Sequence, residues 1–219
     1  MPPLPGPAVA AVELLRRSVE RGATLVATGP LTNLALLEEF HPGILGHADL
    51  VIMGGYVGPP RAGFPPWGPE MDFNVQVDVR AARAAELEPC PGPQLAVSVE
   101  TALRRAWLAR LRAAGRLGSL IARQADAFAE DERVEARFGT VCEGLPDDLI
   151  NLLHDPLAAA VALGSSGARV EQLELAFGLE GEQVSVVEQA GGRLTRVVTS
   201  VDGPGFGEFW LRCVAEGSG

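Results

Sequence analysis

Val9, Val12, Leu15 and Val19 recur at helical spacing, with Glu13, Arg16, Arg17 and Glu20 mostly elsewhere. That pattern predicts an amphipathic helix over 8–21, stopped at Gly22. Residues 24–28 (TLVAT) form a short apolar run rich in β-branched side chains, the pattern of a buried strand, and Gly29-Pro30 then turns the chain. A second helix is predicted over 32–40, halted by His41-Pro42, and a second buried strand over 49–53, closed by Gly54-Gly55. Further on, Asp78 can cap a helix that Pro89 stops, and 95–99 reads as a third strand. Helical patterns follow over 102–114 and 117–130, and Asp155-Pro156 opens a helix to 163 with Asp155 as its cap. Alternating segments at 170–177, 183–187 and 194–201 predict late strands, some of them antiparallel, before a closing helix at 206–214. Strand–helix alternation with continuously apolar strands predicts an α/β fold: an open, mostly parallel sheet with helices on both faces.

The 219 residues suit one domain, 1–219, and the 47% hydrophobic content argues against a disordered chain. No window approaches the ~18 uninterrupted apolar residues of a membrane span. The first residues do not read as a signal peptide, because the basic residues follow the apolar ones and Glu13 interrupts them. The net charge is −10, and all 18 basic residues are Arg. An acidic chain binds polyanions poorly, so nucleic acid is not an expected partner. The densest basic stretch, Arg104, Arg105, Arg110, Arg112 and Arg116, reads as a solvated helix face. Cys90, Cys142 and Cys213 are odd in number and far apart, which gives no disulfide framework and suits a reducing cytoplasm.

Ligand sites in such sheets lie beyond the carboxyl ends of the strands. That rule selects Thr28 to Thr32, Met53 with the irregular stretch 56–69 after it, and the segment after Val99. No GxGxxG follows any strand, and Pro30 stands where a phosphate-binding turn would need an N–H, which disfavours a dinucleotide-binding domain. Polar groups at the selected ends (Thr28-Gly-Pro-Leu-Thr-Asn, Glu70 to Asn74, His154-Asp155) would suit a hard cation and a polyhydroxylated ligand. Each also has a plain structural reading. Asp155 is a good helix cap, Asp72 and Asn74 could bond their own backbone, and Met53 could be core. Tyr56, Phe64 and Trp67 could stack on a flat ligand or pack the loop.

Taken in order, TLVATGPLTNLALL (24–37), ADLVIMGG (48–55), EMDFNVQVD (70–78) and HDPLAAAVAL (154–163) resemble the inosine–uridine-preferring nucleoside hydrolases. The tail RVVTSVDGPGFGEFWLRCV is similar to that family's last strand and helix, so the resemblance runs from about Ala8 to Ala215. It implies cleavage of the N-glycosidic bond between ribose and a nucleobase, with a bound Ca²⁺. The Thr28 carbonyl and the Asp155 carboxylate would be calcium ligands. Asp72 and Asn74 would hydrogen-bond ribose hydroxyls, with Asp72 one methylene shorter than the Glu often found there. Met53 would pack on the sugar, and His154 would protonate the departing base. The expectation joins these positions around one pentose and its cation. The family tends to dimers and tetramers, so a homo-oligomer is a further expectation.

Two family features do not occur in this sequence. One is an Asp-rich DxDxxxDD run at the end of the first strand, which supplies further calcium carboxylates and the base that activates water. Glu130-Asp-Glu and Asp147-Asp148 have the wrong spacing and place for it. The other is an Asn after the Met-Gly-Gly turn. The chain reads as lacking the family's N-terminal third. One carboxylate and one carbonyl are too few for tight Ca²⁺ binding, which asks for six to eight oxygens. Hydrolysis is therefore expected of the complete protein and not of these 219 residues alone. The alternative is a truncated, non-catalytic homologue that binds ribosides or a protein partner.

Overall fold

The computed structural model describes residues 8–87, 94–95, 100–164 and 167–217. Along the chain run α1 (Ala8–Glu20), β1 (Thr24–Ala27), α2 (Thr32–Phe40), β2 (Asp49–Ile52), α3 (Phe73–Gln76), α4 (Val79–Leu87) and β3 (Gln94–Leu95). Then come β4 (Ala102–Arg104), α5 (Leu108–Ala113), α6 (Gly115–Glu132), β5 (Leu149–Leu152) and α7 (His154–Ala162). The chain continues with β6 (Ala168–Glu180), β7 (Gln183–Glu188), β8 (Arg193–Val201) and α8 (Gly203–Glu216). It divides into two compact units. One holds 1–58, 68–97 and 171–197; the other holds 59–67, 98–170 and 198–219.

The sheet order is β1-β2-β3-β8-β6-β7. β1, β2, β3 and β8 pair in parallel, and β6 and β7 form an antiparallel hairpin. The mostly parallel α/β expectation therefore holds for these strands. In the first unit, Leu25, Leu50 and Ile52 of the strands join Val12 and Val19 of α1 and Leu34 and Leu37 of α2 in one core. α2 ends where expected. The chain after it is fixed by the buried Glu38 carboxylate, which accepts the N–H groups of Gly43 and Leu45. Thr32 donates its hydroxyl to Asp78 at 2.6 Å, and Asp78 caps α4 by accepting the Ala81 N–H at 3.0 Å.

β7 ends the strand order, so its outer backbone groups need other partners. The Gln76 side chain supplies them. Its amide donates to the Val184 carbonyl and accepts the Val184 N–H, both at 3.0 Å. Val184 is only 2% exposed. Gln76→Ala leaves both groups unpaired and is expected to cost about 1–3 kcal/mol in urea unfolding. A loss under about 0.5 kcal/mol, within the range of ordinary surface substitutions, would contradict this role.

The second unit corrects one expectation. Residues 102–114 are not one helix. Ala102–Arg104 is a strand paired antiparallel to β5, and a 3₁₀ turn (Arg105–Trp107) separates it from α5. Asp148 causes the break: its carbonyl accepts the Arg105 N–H at 2.8 Å and its carboxylate accepts the Ala106 N–H at 3.0 Å. α5 and α6 pack so closely that a Cβ on Gly118 would lie 2.1 Å from the Leu111 carbonyl oxygen. Ala122, Ala125 and Ala129 continue the buried face of α6. Four of the five arginines of the basic stretch are paired with acids: Arg104 with Asp148, Arg105 with Asp126 and Glu135, Arg110 with Glu208, and Arg112 with Asp126. Cys142 and Cys213 are free thiols, and Cys90 lies outside the described residues, as do 96–99 of the expected third strand. No described helix is long and apolar enough to cross a membrane.

Candidate active site

In the first unit, β1 and β2 end side by side, Ala27 opposite Ile52. The Met53 N–H donates to the Ala27 carbonyl at 2.9 Å, so Thr28 is the first residue beyond the ladder, exposed to solvent. After Met53 the chain turns through Gly54 and Gly55, both at positive φ (154° and 88°). Asp72 holds this turn. Its Oδ2 accepts the N–H groups of Gly55 at 2.6 Å and Tyr56 at 3.2 Å. Its Oδ1 accepts the Val75 N–H at 3.4 Å at the start of α3. Burial pushes the Asp72 pKa up, against those three N–H groups, which pull it down. Asn74 is buried and donates its amide to the Met53 carbonyl at 2.9 Å, 3.7 Å from the Met53 sulfur. Met53, Asp72 and Asn74 thus form one interlocked group at the carboxyl end of β2.

In the second unit, α7 begins at His154 with Leu153 in the cap position and no side-chain cap bond. The expectation that Asp155 caps this helix is corrected: it lies in the first turn. The Leu153 N–H is held by the Thr101 carbonyl at 2.8 Å, and the helix starts two residues earlier than the Asp-Pro signal suggests. Asp72, Asp78 and Asp202 each give the helix they precede a carboxylate-to-backbone bond. The Asp155 carboxylate has none among the described residues. It is exposed, and partial desolvation raises its pKa.

The segment 59–67 is packed in this same unit. The Gly63 carbonyl accepts the Gly144 N–H at 2.8 Å. Phe64 joins Val134, Leu145 and Leu149 in an apolar cluster, and Arg61 pairs with Glu100. The Glu100 side chain is 9% exposed and also accepts the Val201 N–H at 2.6 Å. Trp67 stands edge-on to Phe138 (5.5 Å between centroids, planes at 86°) and tilted against His154 (6.4 Å, 59°). Of the loop aromatics, Phe64 is a packing residue and Trp67 meets the imidazole. Nothing in the sequence pattern marks Glu100 or Phe138. Phe138 sits in a π-helical turn (Glu135–Gly139) that helical periodicity does not reveal.

Calcium asks for more oxygen donors than these residues offer. Among the described residues no group of three or more His, Cys, Asp or Glu side chains could hold an ion. Asp72 is spent on backbone N–H groups. The donors of the described residues do not make a calcium shell by themselves.

In open α/β sheets ligands bind beyond the carboxyl ends of the parallel strands, and this polar cluster stands there. Residues 2–208 match the model of the inosine-uridine preferring nucleoside hydrolases, and the chain belongs to that family. It is 33% identical over 171 residues to the pyrimidine-specific ribonucleoside hydrolase RihA of Salmonella paratyphi A, covering 73% of this chain and 50% of the relative. An Escherichia coli O139:H28 protein of the same name is 34% identical over the same shares. The chain thus spans about half the length of the curated relatives it matches. Among solved structures, a purine-preferring ribonucleoside hydrolase from Gardnerella vaginalis superposes with a TM-score of 0.75 at 21% identity, over 94% of this chain and 65% of that one. An inosine-uridine preferring nucleoside hydrolase from Bacillus anthracis gives 0.61 at 21%, over the same shares. These likenesses support the fold.

Proposed function

We propose that the whole protein hydrolyses the N-glycosidic bond of ribonucleosides, releasing ribose and a purine or pyrimidine base. The observation that carries this reading, beside family membership, is the unspent carboxylate of Asp155 directly after His154 at the start of α7. Three other helix-start aspartates serve the backbone; this one is left for a ligand. Departure of the base builds positive charge on the sugar ring, which a nearby carboxylate stabilises, and puts negative charge on the base, which a proton from His154 removes. Met53 packs on the sugar, and Asn74 bonds one of its hydroxyls. Ca²⁺ dependence is proposed for the whole protein, with the Thr28 carbonyl and the Asp155 carboxylate as the donors these residues contribute. Free Cys142 and Cys213 suit a reducing, cytoplasmic setting, and assembly into dimers or tetramers is proposed by family.

The 219 residues alone are expected to show no hydrolysis of inosine, uridine or p-nitrophenyl riboside. In calorimetric titration they are expected to bind Ca²⁺ no more tightly than about millimolar. Turnover by this chain that a chelator and Asp155→Ala both abolish would overturn the expectation. Riboside binding without hydrolysis by the whole protein would favour a non-catalytic riboside-binding homologue instead.

A further inference from the structure

The interlocked group at the end of β2 assigns its members different work. Both Asp72 oxygens face backbone donors, at 2.6, 3.2 and 3.4 Å, on two separate segments: the Gly55-Tyr56 turn and the first turn of α3. The turn is built around that carboxylate. Gly54 has φ of 154°, and a Cβ there would lie 3.2 Å from Asp72 Oδ1 and 3.0 Å from Val75 Cγ2. One residue before Gly54 is the Met53 carbonyl, and one residue before Val75 is Asn74, which donates to that carbonyl at 2.9 Å. That bond takes one N–H of the Asn74 amide, whose nitrogen also lies 3.7 Å from the Met53 sulfur, and it fixes the orientation of the amide, because a carbonyl can only accept. The oxygen of Asn74 has no hydrogen bond to a described residue, so it is left to bond a ligand, and it can only accept.

We propose that Asp72 is a positioning residue: its carboxylate clamps the Gly54–Tyr56 turn to the start of α3, so that Met53 orients Asn74 to accept a hydrogen bond from a sugar hydroxyl through its Oδ1. Asp72 then acts on the sugar through Asn74 and not by touching it. The short Asp side chain suits this inward reach to the backbone. The assignment rests on the ribonucleoside reading for its ligand, but its geometry is independent of that reading.

Two readouts separate the possibilities. In ¹H–¹⁵N spectra of this chain, Asp72→Asn is expected to speed amide exchange of Gly55 and Tyr56 by about tenfold or more, as loss of a charge-assisted bond should. It should also move the Asn74 side-chain NH₂ resonances, and Gly54→Ala should move the same set. Unchanged Gly55, Tyr56 and Asn74 signals would overturn the clamp. If Asp72→Asn does not fold, Asp72→Glu serves instead: it keeps the charge but overfills the site, and must disturb the same three residues. In the whole protein, Asp72→Asn and Asn74→Ala are each expected to lower kcat/KM on p-nitrophenyl riboside, and both losses should vanish for the same one of the analogues lacking one ribose hydroxyl. In the Asn74→Ala background, Asp72→Asn should add less than about threefold. An Asp72→Asn loss that vanishes for a different analogue from that of Asn74→Ala, or that persists in full in the Asn74→Ala background, identifies a direct bond from Asp72 to the sugar and overturns the assignment. If the wild-type whole protein turns over no riboside, the functional reading fails, while the amide results still decide the clamp.

Discussion

Replacing Asp155 with Ala in the whole protein is expected to lower kcat/KM on inosine and uridine by on the order of 10³-fold or more, about 4 kcal/mol of transition-state stabilisation. The structure separates this loss from unfolding. The carboxylate is exposed, caps no helix and has no hydrogen-bond donor among the described residues, so removing it breaks no hydrogen bond among them. Thermal unfolding in the absence of Ca²⁺ should therefore stay within about 2 °C of wild type, as for a surface substitution away from special features. Asp202→Ala makes the contrast. It removes the bond to the Gly205 N–H at 3.1 Å that caps α8, and should cost about 1 kcal/mol of stability. Retained turnover in Asp155→Ala would remove Asp155 from the mechanism. A large fall in its melting temperature without Ca²⁺ would show that it serves the fold after all.

Replacing His154 with Ala is expected to give losses that depend on the leaving group. A purine or pyrimidine base leaves poorly as an anion and needs a proton; p-nitrophenolate does not. A general acid contributes about 10²–10⁴-fold, so the loss should fall in that range for inosine and uridine and below about tenfold for p-nitrophenyl riboside. The imidazole is half-buried at the first position of α7, with the Trp67 indole tilted against it, and Trp67 is itself braced by Phe138. Equal losses on all three substrates would mean that His154 supports the fold or the sugar and not the departing base.

Much of the first unit was legible in the sequence because its elements are decided locally. β1, α2 and β2 carry continuous apolar runs or helical spacing, and Gly22, His41-Pro42 and Gly54-Gly55 punctuate them. The second unit was less legible because distant residues decide its backbone. Ala102–Arg104 has a helix-compatible sequence, but Asp148, more than forty positions away, captures the Arg105 and Ala106 N–H groups and leaves a strand behind. β5 beside it is four residues long and was not anticipated. Its run Leu149-Ile150 follows an acidic pair that drew attention to solvent instead.

The candidate residues divide in the same way. Residue type and order drew attention to Thr28, Met53, Asp72, Asn74, His154 and Asp155. Their bonding states could not be read from type. Asp72, Asp78, Asp155 and Asp202 all stand at helix starts, and only geometry shows that three are engaged with the backbone while Asp155 is not. The place of Trp67 was equally hidden, since its partner Phe138 is 71 positions on, in a turn without helical periodicity.

The most direct test of ribonucleoside hydrolysis is to incubate the whole protein with inosine and with uridine in ¹⁸O-labelled water and analyse both products. The expected result is free base together with ribose carrying one heavy oxygen at C1, in excess of that acquired by free ribose held alongside. Intact nucleoside, or base released without label entering the sugar beyond that control, would contradict it.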